Sequence, residues 1–149
     1  MAPLPLTYDR PTVHEPGTFT PHTYTGACHC GRVEFSCIAP PMDELEVLSC
    51  TCSFCAKRGG LQIYVRPESL SWTKGGWEDL TQYRWNTCRV AHCFCPVCGT
   101  HIGTNAGPVL ALNMRCMEGV DAEALKERRF DGKTAVPGPK VESALEDAA

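Results

Sequence analysis

The sequence predicts a mainly β domain stapled at its cysteines, with one short C-terminal helix. Three observations carry this. Apolar and polar residues alternate over short runs, the period of a half-buried strand, and the runs recur at roughly 8–12-residue spacing between Gly/Pro turns. Of 149 residues 11 are cysteine, and most fall in close groups: Cys28 and Cys30; Cys50, Cys52 and Cys55; Cys95 and Cys98. One late stretch, Ala122 to Phe130, is rich in helix formers behind a good N-cap, Asp121.

Taken in order, residues 1–23 hold five prolines (Pro3, Pro5, Pro11, Pro16, Pro21) and few large apolar groups. They read as an irregular, partly extended arm: either a loose tail or a segment whose Tyr8 or Phe19 packs over the domain. The domain is expected to span 24–133, with 134–149 as a tail whose last part, Val141 to Ala149, has helical composition. His22 to Ala27 is a short strand. Arg32 to Ile38 follows, with Val33, Phe35 and Cys37 inward, and Pro40-Pro41 ends it. Leu45 and Val47 alternate again and deliver the chain to Cys50. Gly59-Gly60 breaks the backbone before Leu61–Val65. Leu70–Thr73 is a further short strand, Leu80–Trp85 and Arg89–Phe94 form a hairpin around Asn86-Thr87, and His101–Thr104 pairs with Val109–Met114.

At this length one domain with a modest core is expected. The net charge of −3 argues against general attraction to nucleic acid or acidic membranes. No apolar run approaches a membrane span, and the N-terminus lacks the basic start and apolar core of a secretory signal. The expected location is cytoplasmic. In that reducing setting clustered cysteines read as metal ligands rather than disulfides.

A C-x-C or C-x-x-C turn brings two sulfurs onto one tetrahedral metal, and thiolate-rich sites favour zinc where nothing argues for redox work. A closed structural site needs four protein ligands, and an open catalytic one has three. Two pairs make four: Cys28, Cys30, Cys95 and Cys98. The triplet Cys50, Cys52 and Cys55 makes three, leaving a position for water, a carbonyl oxygen or a thiol. A rival pairing joins Cys52/Cys55 with Cys95/Cys98 as one zinc ribbon and strands Cys28, Cys30 and Cys50. Lys57, Arg58 and the amides of Gly59-Gly60 are placed either to balance the charge of three thiolates or simply as a solvated loop. His29 is expected to point away from the metal; His92 and His101 are candidates for a fourth ligand or a proton carrier. Cys37, Cys88 and Cys116 read as core or bystander thiols, and Cys93 as a substitute ligand beside the knuckle.

Several motifs together resemble the glutathione-dependent formaldehyde-activating enzyme family, which includes centromere protein V. They are Gly26-Ala-Cys28-His-Cys30-Gly31, Cys50-Thr-Cys52-Ser-Phe-Cys55-Ala-Lys57 with Gly59-Gly60, and Leu80-Thr-Gln-Tyr83. Phe94-Cys95-Pro-Val-Cys98-Gly99-Thr100, Asn113-Met-Arg115-Cys116 and Phe130-Asp131-Gly132-Lys133 complete the set. The resemblance implies a tent-like arrangement of small antiparallel sheets and two zincs per chain. Cys28, Cys30, Cys95 and Cys98 would carry the structural zinc, and Cys50, Cys52 and Cys55 the catalytic one. It further implies a carbon–sulfur lyase that joins formaldehyde to glutathione. The expected partners are a small-molecule thiol and a carbonyl substrate, with no nucleic acid and no membrane; a homodimer is compatible with them. The alternatives are a zinc lyase or isomerase acting on another small carbonyl metabolite, and a non-enzymatic zinc-ribbon interaction module.

Overall fold

A computed structural model describes residues 6–7, 11–85 and 88–135. The predicted turn at Asn86-Thr87, Tyr8 and the tail beyond 135 lie outside the described residues. The strands in chain order are β1 (Leu6–Thr7), β2 (Val13–His14), β3 (His22–Ala27), β4 (Glu34–Ala39), β5 (Val47–Cys50), β6 (Gln62–Val65), β7 (Leu70–Lys74), β8 (Thr81–Tyr83), β9 (Ala91–Phe94), β10 (His101–Asn105), β11 (Leu110–Asn113) and β12 (Glu127–Phe130). Among the described residues two helices of one turn each accompany them, α1 (Cys55–Arg58) and α2 (Gly132–Ala135). The protein is mainly β, as the alternating runs predict.

One sheet runs β3-β4-β7, all antiparallel. The other runs β1-β12-β5-β6-β11-β10-β9-β8, with β2 also on β6. From β5 across β6, β11, β10 and β9 to β8 its neighbours pair antiparallel. Its far edge is parallel instead: β12 on β5, β1 on β12, and β2 on β6. Each of these joins segments far apart in sequence, so the larger sheet is mixed rather than purely antiparallel.

The alternating strands put one face of each sheet into a shared core. Val33, Phe35 and Cys37 come from the smaller sheet and its approach; Ile63, Val65, Ile102, Leu110 and Leu112 come from the larger. Phe35 lies so close to β3 that a Cβ on Gly26 would stand 2.6 Å from its Cζ. Trp72 and Trp77 close this end, edge to face at 5.1 Å, with Trp72 against Phe35.

The predicted helix over 122–130 is not formed. Asp121 does cap, accepting from the Glu123 amide at 3.0 Å, but only a 3-10 turn follows, Ala122–Ala124. Leu125 then drops into the core, and Glu127–Phe130 lies alongside β5 with Phe130 opposite Cys50. Local composition favours a helix here, but a Glu-Arg-Arg run offers no apolar stripe to hold one against the core. The open edge of β5 satisfies four residues of backbone at once, and tertiary pairing overrides propensity. The helix that forms at this end, α2, begins after Asp131.

The arm is also more ordered than its proline content predicts. Val13 and His14 pair with Tyr64 and Val65. His14 is buried, and Phe19 meets its ring edge-on at 6.3 Å. Glu46 ties this segment down. Its carboxylate accepts from the Thr12 amide (3.0 Å) and hydroxyl (2.6 Å) and from Arg128 (2.7 Å), while its own amide donates to His14 Nε2 at 3.3 Å.

This contact should be acid-sensitive. Burial holds the His14 pKa below its ordinary 6.5, and against its own burial Glu46 is held below 4.5 by Thr12 and Arg128. Both folded values are depressed, so both groups contribute stability that is present above their unfolded values and lost as pH falls through the folded ones. Lowering the pH from 7 towards 4 should therefore release residues 12–14 before the rest of the sheet. The amides of Val13 and His14 should lose hydrogen-exchange protection first, and Glu46→Gln should weaken the arm by about 1 kcal/mol already at pH 7.

Candidate active site

The first thiol group lies where two turns meet. Cys28-His-Cys-Gly and Cys95-Pro-Val-Cys-Gly each end in a glycine with positive φ, Gly31 at 79° and Gly99 at 78°. These let the chain fold back, with the Gly31 amide on Cys28 O and the Gly99 amide on Cys95 O. The Cys28, Cys30, Cys95 and Cys98 sulfurs all lie within 4.8 Å of one another, with Cys30 to Cys95 at 3.6 Å. Thr100 stitches the turns together: its hydroxyl accepts from the His29 amide at 3.2 Å and lies 3.3 Å from Cys98 Sγ, pulling that thiol down to about 5. Cys28 and Cys95 are buried; the His29 side chain faces outward.

The second group sits at the end of β5. Cys50 closes the strand, Cys52 is buried in the turn, and Cys55 opens α1. Their sulfurs also lie within 4.8 Å of one another. Backbone amides point at them: Cys52 N at Cys50 Sγ (3.4 Å) and Cys55 N at Cys52 Sγ (3.3 Å). Contact with Cys50 and then Cys55 holds the Cys52 thiol far below its usual range, while contact with Cys52 pushes Cys50 up and contact with Cys50 and then Cys52 pushes Cys55 up. The trio thus shares its negative charge, and only a bound cation lets all three sulfurs ionise together. The two C-x-x-C units fall in different groups, so the single-ribbon pairing is not the one formed. Both donor sets fit a thiolate-binding ion of the zinc type: four sulfurs complete a tetrahedron and three leave one position.

Gly132 is the residue that lets β12 close over the second group. A Cβ there would collide with Cys50 Sγ and stand 3.2 Å from Cys52 Cβ. The turn beside it is fixed by Thr51, whose hydroxyl donates to Asp131 Oδ1 at 2.9 Å and accepts from the Lys133 amide at 3.2 Å. On the other side α1 is anchored by Phe54, which stacks on Tyr83 (5.3 Å) and meets His92 (4.2 Å). The Arg58 guanidinium lies over the Phe54 and Phe94 rings at 4.9 and 5.2 Å. Arg58 is therefore stacked within an aromatic cage, and neither it nor Lys57 lines the openings beside the thiols.

Two openings flank the second group. One is a cavity of about 300 Å³ reaching all three thiols, walled by Tyr64, Trp85, Val109, Ala111 and Phe130 among others. The other is a cleft of about 590 Å³ that reaches Cys50 and Cys55 past Gly59 and Gly60, and carries Arg115, Arg129, Lys133 and Glu127. Asn113 supports the cleft from below. Its Oδ1 accepts from the amides of Leu61 (3.4 Å) and Arg115 (3.1 Å), and its Nδ2 donates to His101 O at 2.8 Å. Arg115 Nε in turn donates to Gly59 O at 3.0 Å.

Neither histidine joins a sulfur group among the described residues. His92 faces the cavity, but Trp85 Nε1 donates to its Nε2 at 3.2 Å and its Nδ1 lies 3.1 Å from the Thr104 hydroxyl. The first contact fixes the tautomer as Nδ1–H, and burial with Arg58 nearby lowers the pKa to about 4. His101 is buried, lies under Gly60 with no partner for either ring nitrogen, and is held neutral by burial, its pKa at about 3. Cys37, Cys93 and Cys116 are core thiols, each raised by burial. Cys93 therefore does not substitute in the knuckle.

Tyr64, Gln62, Trp85, Phe130 and Gly132 form the site without having been singled out for it by spacing. The Phe130-Asp131-Gly132-Lys133 motif pointed towards two of them, Phe130 and Gly132.

The chain is similar to a Rhodobacter sphaeroides protein of known crystal structure, at 31% identity and a TM-score of 0.60, over 71% of this chain and 98% of that one. No helix among the described residues is long and apolar enough to cross a membrane. The family model described as "Glutathione-dependent formaldehyde-activating enzyme" matches residues 23–129, a span that contains both thiol groups, and the chain belongs to that family.

Proposed function

We propose that this protein is a zinc-dependent carbon–sulfur lyase that adds a glutathione-type thiol to a small aldehyde or related carbonyl compound, and reverses that addition. The observation that carries the reading is the three-sulfur group of Cys50, Cys52 and Cys55 set between a cavity and a cationic cleft. In this reading Cys28, Cys30, Cys95 and Cys98 hold a structural zinc, and Cys50, Cys52 and Cys55 hold a second with one position open. When bound, that second ion supplies Lewis-acid charge beside the thiol and the carbonyl.

The chain supplies the rest. Arg115, Arg129 and Lys133 give the cleft a positive wall for the carboxylates of the thiol compound, close to Cys50 and Cys55. Tyr64 offers a hydroxyl in the cavity whose neighbour is Gln62 Oε1 at 3.4 Å, a loose contact that a substrate oxygen can replace. Burial and the nearby thiols raise its pKa, so it stays a donor. In the reaction the thiol sulfur forms a bond to the carbonyl carbon. The carbonyl π pair moves to oxygen, and the thiol proton ends on that oxygen. Tyr64 steadies the charge that develops there before the proton arrives.

The test is the rate of S-(hydroxymethyl)glutathione formation from glutathione and formaldehyde, read by exchange NMR above the uncatalysed background. The zinc-loaded protein should accelerate it, Cys52→Ala should return it to background, and Tyr64→Phe should lower kcat/KM on the order of 10²-fold with KM little changed. A parent protein with no acceleration overturns the reading.

A further inference from the structure

The two openings beside Cys50 and Cys55 differ in chemistry. The cationic residues belong to the cleft, and apart from the three thiols the cavity wall carries no formally charged side chain. Its polar groups are turned on one another: Trp85 and Thr104 take both nitrogens of His92, and Tyr64 points to Gln62. What remains facing the interior is aromatic and aliphatic surface from Trp85, Val109, Ala111 and Phe130. A charged or strongly polar ligand finds little here to replace its hydration.

Size adds a second constraint. The cavity is about 300 Å³. A one-carbon aldehyde is little larger than a water molecule, whose share of liquid volume is about 30 Å³, whereas a dry cavity of about 150 Å³ already accepts benzene. Formaldehyde would leave most of this volume unfilled and most of its apolar wall without a partner.

We infer that the carbonyl substrate is an aldehyde bearing an uncharged apolar group of about benzene size, seated in this cavity with its carbonyl towards the thiols. The inference rests on the thiol-addition reading above and names the substrate class for it. The carboxylate-bearing thiol enters by the cationic cleft and the aldehyde by the apolar cavity, so the two reactants meet at Cys50 and Cys55 from separate sides. The bond changes are those of simple addition: S–H adds across C=O, a C–S and an O–H bond form, and nothing is oxidised or released.

The test compares formaldehyde, acetaldehyde and benzaldehyde as partners for glutathione, using the zinc-loaded full chain and exchange NMR. Benzaldehyde should exceed acetaldehyde in kcat/KM over background by roughly tenfold or more, since even one methylene in an apolar pocket is worth about that. Val109→Trp, which fills the cavity from its half-buried edge, should bring the ratio towards one. Calorimetry with benzyl alcohol, an unreactive analogue, gives a readout independent of turnover: binding in the parent and its loss in Val109→Trp are expected. Acceleration with formaldehyde, no preference for benzaldehyde and no binding of benzyl alcohol would overturn this inference and leave thiol addition standing. No acceleration with any aldehyde would remove thiol addition itself, and this inference with it.

Discussion

Cys95→Ala should leave a chain that does not fold. Cys95 is fully buried, its sulfur lies 3.6 Å from that of Cys30, and the Val97 amide points at it. Through it the turn after β3 is tied to the turn after β9. A metal held by these four sulfurs contributes folding energy of about 10 kcal/mol, comparable to the whole stability of a small domain. With three ligands left, the hole at the junction of the sheets and the lost ion act together. Circular dichroism and the dispersion of amide resonances should both collapse, and a strong chelator should do the same to the parent protein. A folded Cys95→Ala with an unchanged melting temperature would mean that the core alone holds the two sheets.

Gly132→Ala should destroy the second group and spare the first. The added methyl has no room, since Cys50 Sγ occupies the space it needs. Either Cys50 leaves the trio or β12 moves off β5, and the register that sets Phe130 opposite Cys50 argues for the first. Overpacking of this kind costs about 1–3 kcal/mol, so the domain should stay folded with a lowered melting temperature. Metal content should fall by one ion per chain, and thiol–aldehyde turnover should fall to background. The expected contrast with Cys95→Ala, one variant unfolded and one folded but empty at one site, follows from which thiols each change touches.

The strands that were legible in the sequence are those whose partners are near in the chain. β3 and β4 alternate cleanly, and β10 and β11, buried on both faces, are joined by a short Gly/Pro turn, so local signals and pairing agree. The thiol grouping was legible for a different reason: a four-coordinate metal limits how seven cysteines can be shared. β12 was not legible, because its partner β5 lies about 80 positions earlier and its own residues favour a helix. The same holds for the arm, where Val13 and His14 pair with β6 about 50 positions further on. The cavity walls were hidden by their ordinariness. Tyr64 and Phe130 look like any half-buried strand residue until β6 and β12 bring them to one place. Gly132 is legible only as part of a motif, and the position of Cys50 Sγ reveals its packing requirement.

On the proposed reading the seven clustered thiols serve two metals with different duties. The most direct test is zinc per chain in the natively purified protein and in Cys52→Ala, with the fold followed by circular dichroism. Two zincs falling to one, with the spectrum unchanged, is the predicted result. One zinc in the parent and an unfolded Cys52→Ala would contradict it, because Cys52 would then belong to the site that holds the domain together.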